Sequence, residues 1–174
     1  MILNLHGLYG HSENNNYQQL SLLFPKEEIY SPQIDYLAED PQDLLDTLAQ
    51  NGPYSLVVGN SLGGFFAYAL GAKKGYSTVL TNPCVPPYEY LPNLAGDYRY
   101  LDKMKRIWND AYPRWFKCVV VLGRRDEVID HKNTFELMKP YYRIHFIDCE
   151  HVMFGPEYTS CFEVACREAR YISS

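Results

Sequence analysis

Three residue types that together could carry out nucleophilic acyl chemistry stand at separate places in this chain. They are a serine in Gly59-Asn60-Ser61-Leu62-Gly63, an aspartate in Gly123-Arg124-Arg125-Asp126 and a histidine in Cys149-Glu150-His151. A serine hydroxyl is too weak an acid to attack an acyl carbon unaided. It needs an imidazole within hydrogen-bond reach to take its proton, and that imidazole needs a carboxylate to fix its tautomer and stabilise its cation. Ser61, Asp126 and His151 are thus the candidate nucleophile, acid and base. Gly59 and Gly63 flank the serine where a sharp turn would bring two backbones too close for a Cβ. Such a turn leaves the first N–H groups of the following helix, beginning with Leu62, unpaired and aimed where an oxyanion would form. The loop His6-Gly7-Leu8 offers a second donor, the Leu8 N–H, with Gly7 allowing the necessary backbone shape. His6 itself reads as structural, bonding its own loop.

Each feature has a plainer interpretation. A glycine-rich turn before a helix can hold a phosphate, but the P-loop lysine and the Gly-x-Gly-x-x-Gly spacing are both missing. A loop aspartate is more often a turn or capping residue, and a lone histidine after a strand is more often structural; joint placement at strand ends reverses those odds. Glu127, Asp130 and Asp148 compete with Asp126 for the acid. Asp130 suits the cap of the next helix. Asp148, still leaving its strand, is committed by the pleat to one face. Glu127 then points away, and Val128 and Ile129 return the loop to the core. His11, His131 and His145 have no comparable placement, no histidine pair has ligand spacing, and neither a metal nor a cofactor is expected.

The elements that must position these residues alternate. Ile2–Leu5, Ile29–Ile34, Tyr54–Gly59, Ser77–Thr81, Lys117–Leu122 and Arg143–Asp148 read as strands, the second broken by Pro32 and so short or at an edge. Helical spacing or capping chemistry marks helices near 15–24, from Asp40-Pro41 to Asn51-Gly52-Pro53, from Ser61 to about Gly75, over 133–139 and over 157–171. Strand–helix alternation predicts an α/β fold, a three-layer α/β/α sandwich with a mostly parallel sheet of about six strands. Ligands in such sheets lie at the carboxyl ends of the strands, which is where all three candidates fall. One domain is expected over 1–174, with a Tyr/Pro-rich excursion at 84–115, helical around 101–109, lying over the active-site edge. Its tyrosines and tryptophans, Tyr88 and Trp108 above all, could wall an apolar substrate group or could be ordinary core.

Composition narrows the partners. A net charge of −5 over 174 residues argues against nucleic acid, which needs a basic face. No apolar run is long enough to span a membrane. The first residues lack a basic region and a long apolar run, so a cytoplasmic location is expected. The five cysteines have no paired metal-type spacing and read as reduced, buried apolar residues.

Over essentially its whole length the chain resembles the α/β-hydrolase superfamily, through Leu5-His6-Gly7, Gly59-Asn60-Ser61-Leu62-Gly63-Gly64, Gly123 to Asp130 and Glu150-His151, and in the order Ser, Asp, His. The runs Asn60-Ser61-Leu62-Gly63-Gly64-Phe65-Phe66-Ala67 and Asp126-Glu127-Val128-Ile129-Asp130 are similar to those of the YqiA-like small bacterial esterases. The resemblance implies a trimmed hydrolase sheet and hydrolysis of a small-molecule acyl ester or thioester through an acyl-enzyme. A thioesterase or peptidase on the same site, or a non-catalytic binding module with this fold, are the alternatives. The 84–115 segment departs from the family pattern.

Overall fold

The computed structural model describes residues 1–171; the last three of the expected 1–174 span lie outside the described residues. The order is β1 (Ile2–Leu5), α1 (Asn15–Leu23), β2 (Ile29–Tyr30), α2 (Pro41–Gln50), β3 (Leu56–Asn60), α3 (Leu62–Lys74), β4 (Thr78–Thr81), α4 (Pro87–Ala95), α5 (Leu101–Ala111), β5 (Cys118–Gly123), α6 (His131–Met138), β6 (Arg143–Ile147) and α7 (Gly155–Tyr171). The six strands form one sheet in the order β2-β1-β3-β4-β5-β6, and every neighbouring pair is parallel. This is the α/β-hydrolase architecture the sequence predicts. The register sets Leu5 opposite Gly59 and Asn60 opposite Thr81, so β1, β3 and β4 end level.

Strands covered on both faces must be apolar throughout, and β1, β4 and β5 are buried at every residue. Alternate side chains serve two cores. Leu3, Leu5, Val57, Leu80, Val120 and Leu122 meet residues of α2, α3, α4, α5 and α6, while Ile2, Leu56, Val58, Val79, Val119 and Val121 meet α1 and α7. Helix α2 starts where Asp40 caps it, its side chain accepting from Gln42 N with Pro41 in the first turn, and it buries Leu44, Leu45 and Leu48. Helix α3 is buried continuously from Leu62 to Gly71, because the sheet lies on one side and α2 and α5 on the others. It stops at Gly75, whose φ of 75° is left-handed.

The second strand is only Ile29–Tyr30, at the sheet edge, because Pro32 brings no N–H to a ladder. The 84–115 excursion divides in two. Helix α4 neighbours the loop after β1 and the first turn of α6: Tyr9 Oη donates to Leu94 O (3.5 Å) and Asn133 Nδ2 to Glu89 Oε2 (3.0 Å). Helix α5 instead closes over α3, burying Met104, Ile107, Trp108 and Ala111. The Trp108 ring is 4% exposed, stacks on Tyr112 at a centroid distance of 4.6 Å and lies 5.3 Å from Tyr68. Of the two readings for Trp108, substrate wall or ordinary core, this packing accords with the second.

Phe162 of α7 is fully buried against the sheet, whereas Leu22 of α1 is 74% exposed. Phe162→Ala is expected to lower unfolding free energy by about 3–5 kcal/mol and Leu22→Ala by less than about 0.5 kcal/mol, as read from urea denaturation midpoints.

Candidate active site

Ser61 joins β3 to α3 with φ 51° and ψ −120°, a conformation sparsely populated by residues with a side chain. Two glycines make the turn possible. A Cβ on Gly59 would meet Gly63 O and lie 2.7 Å from Ala67 Cβ, and a Cβ on Gly63 would meet His6 O and lie 2.5 Å from Leu5 O. The serine backbone is pinned on its other side. Ser61 N donates to Thr81 O (3.1 Å), and Ser61 O accepts from Gly64 N (2.9 Å) and Cys84 N (2.9 Å).

The structure brings the three separated candidates together. His151 Nε2 lies 3.0 Å from Ser61 Oγ, and His151 Nδ1 lies 2.8 Å from Asp126 Oδ2. A carboxylate can only accept, so the ring proton resides on Nδ1 and the Nε2 lone pair faces the serine hydroxyl. The Asp126 side chain is 1% exposed. Its other oxygen, Oδ1, accepts from Val128 N (2.8 Å) and Ile129 N (3.0 Å), an Asx-type turn that fixes the carboxylate. That turn leaves Val128 40% exposed while Ile129 is buried. The expected return of both residues to the core therefore holds only for Ile129.

The competing groups lie elsewhere. Asp148 Oδ1 accepts from Arg125 Nε at 2.8 Å, and its side chain is 67% exposed. Asp130 caps α6, accepting from Lys132 N (2.9 Å) and Asn133 N (3.3 Å), and Glu127 is exposed. His145 faces Glu168 at 2.6 Å. Cys84 is fully buried, and that burial, with the Asp126 charge adding to it, pushes its thiol up to about 12. It stays protonated and does not compete as a nucleophile. Tyr88 is half-buried on α4 with the Lys105 ammonium 5.5 Å over its ring.

The loop after β1 passes beside the serine, since a Cβ on Gly7 would lie 3.0 Å from Ser61 Cβ. Among the described residues, neither Leu8 N nor Leu62 N has a backbone acceptor. His6 shapes this loop. Its Nδ1 donates to Gly7 O (2.7 Å), its Nε2 accepts from Ile34 N (3.0 Å), and burial lowers its pKa, keeping the ring neutral.

Two residues that the sequence leaves outside the site also bear on it. Tyr36 donates its hydroxyl to His6 O (2.8 Å) and meets the His6 ring edge-on at 5.3 Å. Asn82, which reads in the sequence only as the close of a strand, has φ 41° and a side chain bonded to the loops of β5 and β6. The signal for it was an asparagine at a strand end before proline, where left-handed backbone favours Asn.

Comparison with known proteins gives the following. The profile described as "Uncharacterised protein family (UPF0227)" matches residues 1–157. A UPF0227 protein of Serratia proteamaculans is 33% identical over 153 residues, covering 83% of this chain and 85% of its own length. Among solved structures, Est1E from Butyrivibrio proteoclasticus superposes with a TM-score of 0.68 at 15% identity, over 97% of this chain and 87% of its own. A monoacylglycerol lipase of Paleococcus ferrophilus does so at 0.69 and 15%, over 96% and 92%. These structural likenesses are likenesses of fold.

The atoms a Gly63 side chain would strike are backbone carbonyls that cannot swing aside. Gly63→Ala is expected to destabilise by about 1–3 kcal/mol and to displace the Ser61 turn. Thermal unfolding, together with the Ser61–His151 hydrogen-bond geometry in a structure of the variant, checks both effects.

Proposed function

The chain belongs to the UPF0227 family, and we propose that it is a serine hydrolase cleaving carboxylic ester or thioester bonds of small acyl substrates through an acyl-enzyme. One observation carries this reading: the unbroken line Asp126 Oδ2, His151 Nδ1, His151 Nε2, Ser61 Oγ, with steps of 2.8 and 3.0 Å.

In the proposed reaction His151 Nε2 takes the proton of Ser61 Oγ as that oxygen attacks the acyl carbon. The buried Asp126 carboxylate stabilises the imidazolium, and the Leu8 and Leu62 N–H groups receive the developing oxyanion. The imidazolium returns its proton to the departing alkoxide or thiolate, leaving an ester on Ser61. A water molecule then attacks that ester, His151 accepting its proton, and the acid leaves as Ser61 recovers its hydrogen. The same groups serve oxygen and sulfur leaving groups, which is why both bond types fall within the proposal. One protein sharing the fold is by name a monoacylglycerol lipase, in keeping with ester chemistry. We place the reaction in the cytoplasm, in keeping with five free cysteines; no described helix is long and apolar enough to cross a membrane.

A fluorophosphonate probe is expected to label the wild type and not Ser61→Ala, alongside turnover on a panel of p-nitrophenyl esters and acyl-thioesters. Stoichiometric labelling of the alanine variant would overturn the assignment of the nucleophile, and a wild type inert to both probe and panel would mark a binding module. Asp126→Asn should fold normally yet lose about 10⁴ in kcat, because the wrong histidine tautomer is then held. Asp148→Asn, which breaks only an exposed ion pair, should stay within about threefold. A reversal of those two effects in steady-state kinetics would move the acid to β6.

A further inference from the structure

We infer that Asn82 is a positioning residue that holds the histidine and aspartate loops in register with the serine turn; the inference rests on the proposed Ser61–His151–Asp126 reading. None of the three follows β4, yet β4 lies between β3 and β5, whose ends carry Ser61 and Asp126, and β6 lies one strand farther on. Asn82 immediately follows β4 and is 1% exposed. Its N–H donates to Val121 O at 3.0 Å. Its Oδ1 accepts from Gly123 N at 2.8 Å. Its Nδ2 donates to Glu150 O at 3.0 Å and to His151 O at 3.1 Å.

The side chain thus reaches across β5 to take hold of the backbone of the base itself. The loops it joins already touch, because a Cβ on Gly123 would lie 2.5 Å from Cys149 O. On its other flank, the same short segment is bonded to the nucleophile through Thr81 O and Cys84 N. Residues 81–84 are therefore hydrogen-bonded to Ser61, to the start of the Asp126 loop and to His151.

The chemistry of the side chain is specific to this task. It must accept toward β5 and donate twice toward the β6 loop, and a carboxamide does both. A strand end that had only to turn at φ 41° could use glycine at no steric cost. The effect on catalysis comes through geometry, since a displacement of about 1 Å in a reacting group can lower a rate about 10²-fold.

Two variants test this. Asn82→Gly removes the side chain and suits the backbone. Asn82→Asp keeps the shape and the acceptor toward Gly123 but turns a carboxylate onto two carbonyls. Each is measured for kcat and KM on p-nitrophenyl acetate, for thermal unfolding, and for the downfield proton resonance of His151 Nδ1–H, assigned by its loss in His151→Gln. The expected result is a folded protein with kcat reduced about 10²-fold, KM within about threefold, and the resonance lost or broadened. A folded variant that keeps the resonance and a kcat within about threefold of wild type overturns the proposal. So does an effect on KM alone, or the failure of both variants to fold, which would make Asn82 purely structural. If the wild type hydrolyses no ester, the esterase reading falls while the resonance still decides: its loss in the variants supports positioning and its retention overturns it.

Discussion

The carbonyl oxygens of Leu5 and His6 come so close to the first turn of α3 that no side chain fits at residue 63. That approach determines much of what surrounds it. It brings the end of β1 against the start of α3, so the loop after β1 runs beside Ser61. It needs Gly63 and, one strand over, Gly59, and between them the chain can only turn sharply, with Ser61 at its tip. At the head of α3, Leu62 N is left without a backbone acceptor among the described residues. His6, whose carbonyl limits the approach, is itself held by Tyr36 and Ile34. The hydrogen bonds around that loop thus help set where one wall of the site stands.

A turn held this closely demands a helix that cannot shift, and the buried length of α3 shows how that is met. Helices α2 and α5 cover the faces that the sheet does not. Two aromatics of the 84–115 segment, Trp108 and Tyr112, serve here, forming one packed group with Tyr68, Phe116 and Tyr142. These two rings reach the serine indirectly, by packing on Tyr68 of the helix that begins at residue 62. Helix α4, by contrast, contacts the loop after β1 and the first turn of α6.

The sequence made the three site candidates legible because each is marked by neighbours that the proposed chemistry requires: glycines around Ser61, Gly123 before Asp126, and a strand before His151. The parallel sheet was legible from alternating apolar runs. For Trp108 the sequence left wall and core both open, although Met104, Ile107, Trp108 and Ala111 recur at helical spacing and form a buried stripe. Val128 escaped because two of the chain's own N–H groups bind Asp126 Oδ1, a local bond that no hydrophobic pattern encodes. Asn82 escaped for a different reason. Its partners are backbone atoms 41, 68 and 69 residues away, and pairings across that distance exist only once the strand order is known.

The residue at the tip of the turn is the last piece of this logic. At φ 51° and ψ −120° glycine is the residue that sits without strain, and glycine already stands at 59, 63 and 64. A serine there costs on the order of 1–3 kcal/mol. The backbone bonds to Thr81 and Cys84 hold it in place, and the burial of α3 offsets the cost. Those supports would hold a glycine equally well, so they do not explain the side chain. What the side chain adds is a hydroxyl aligned with His151 Nε2. On the proposed reading, a strained residue whose hydroxyl points at His151, itself held by the buried Asp126 carboxylate, is placed there for its reactivity, and the fold around it supplies the stability that the serine gives up.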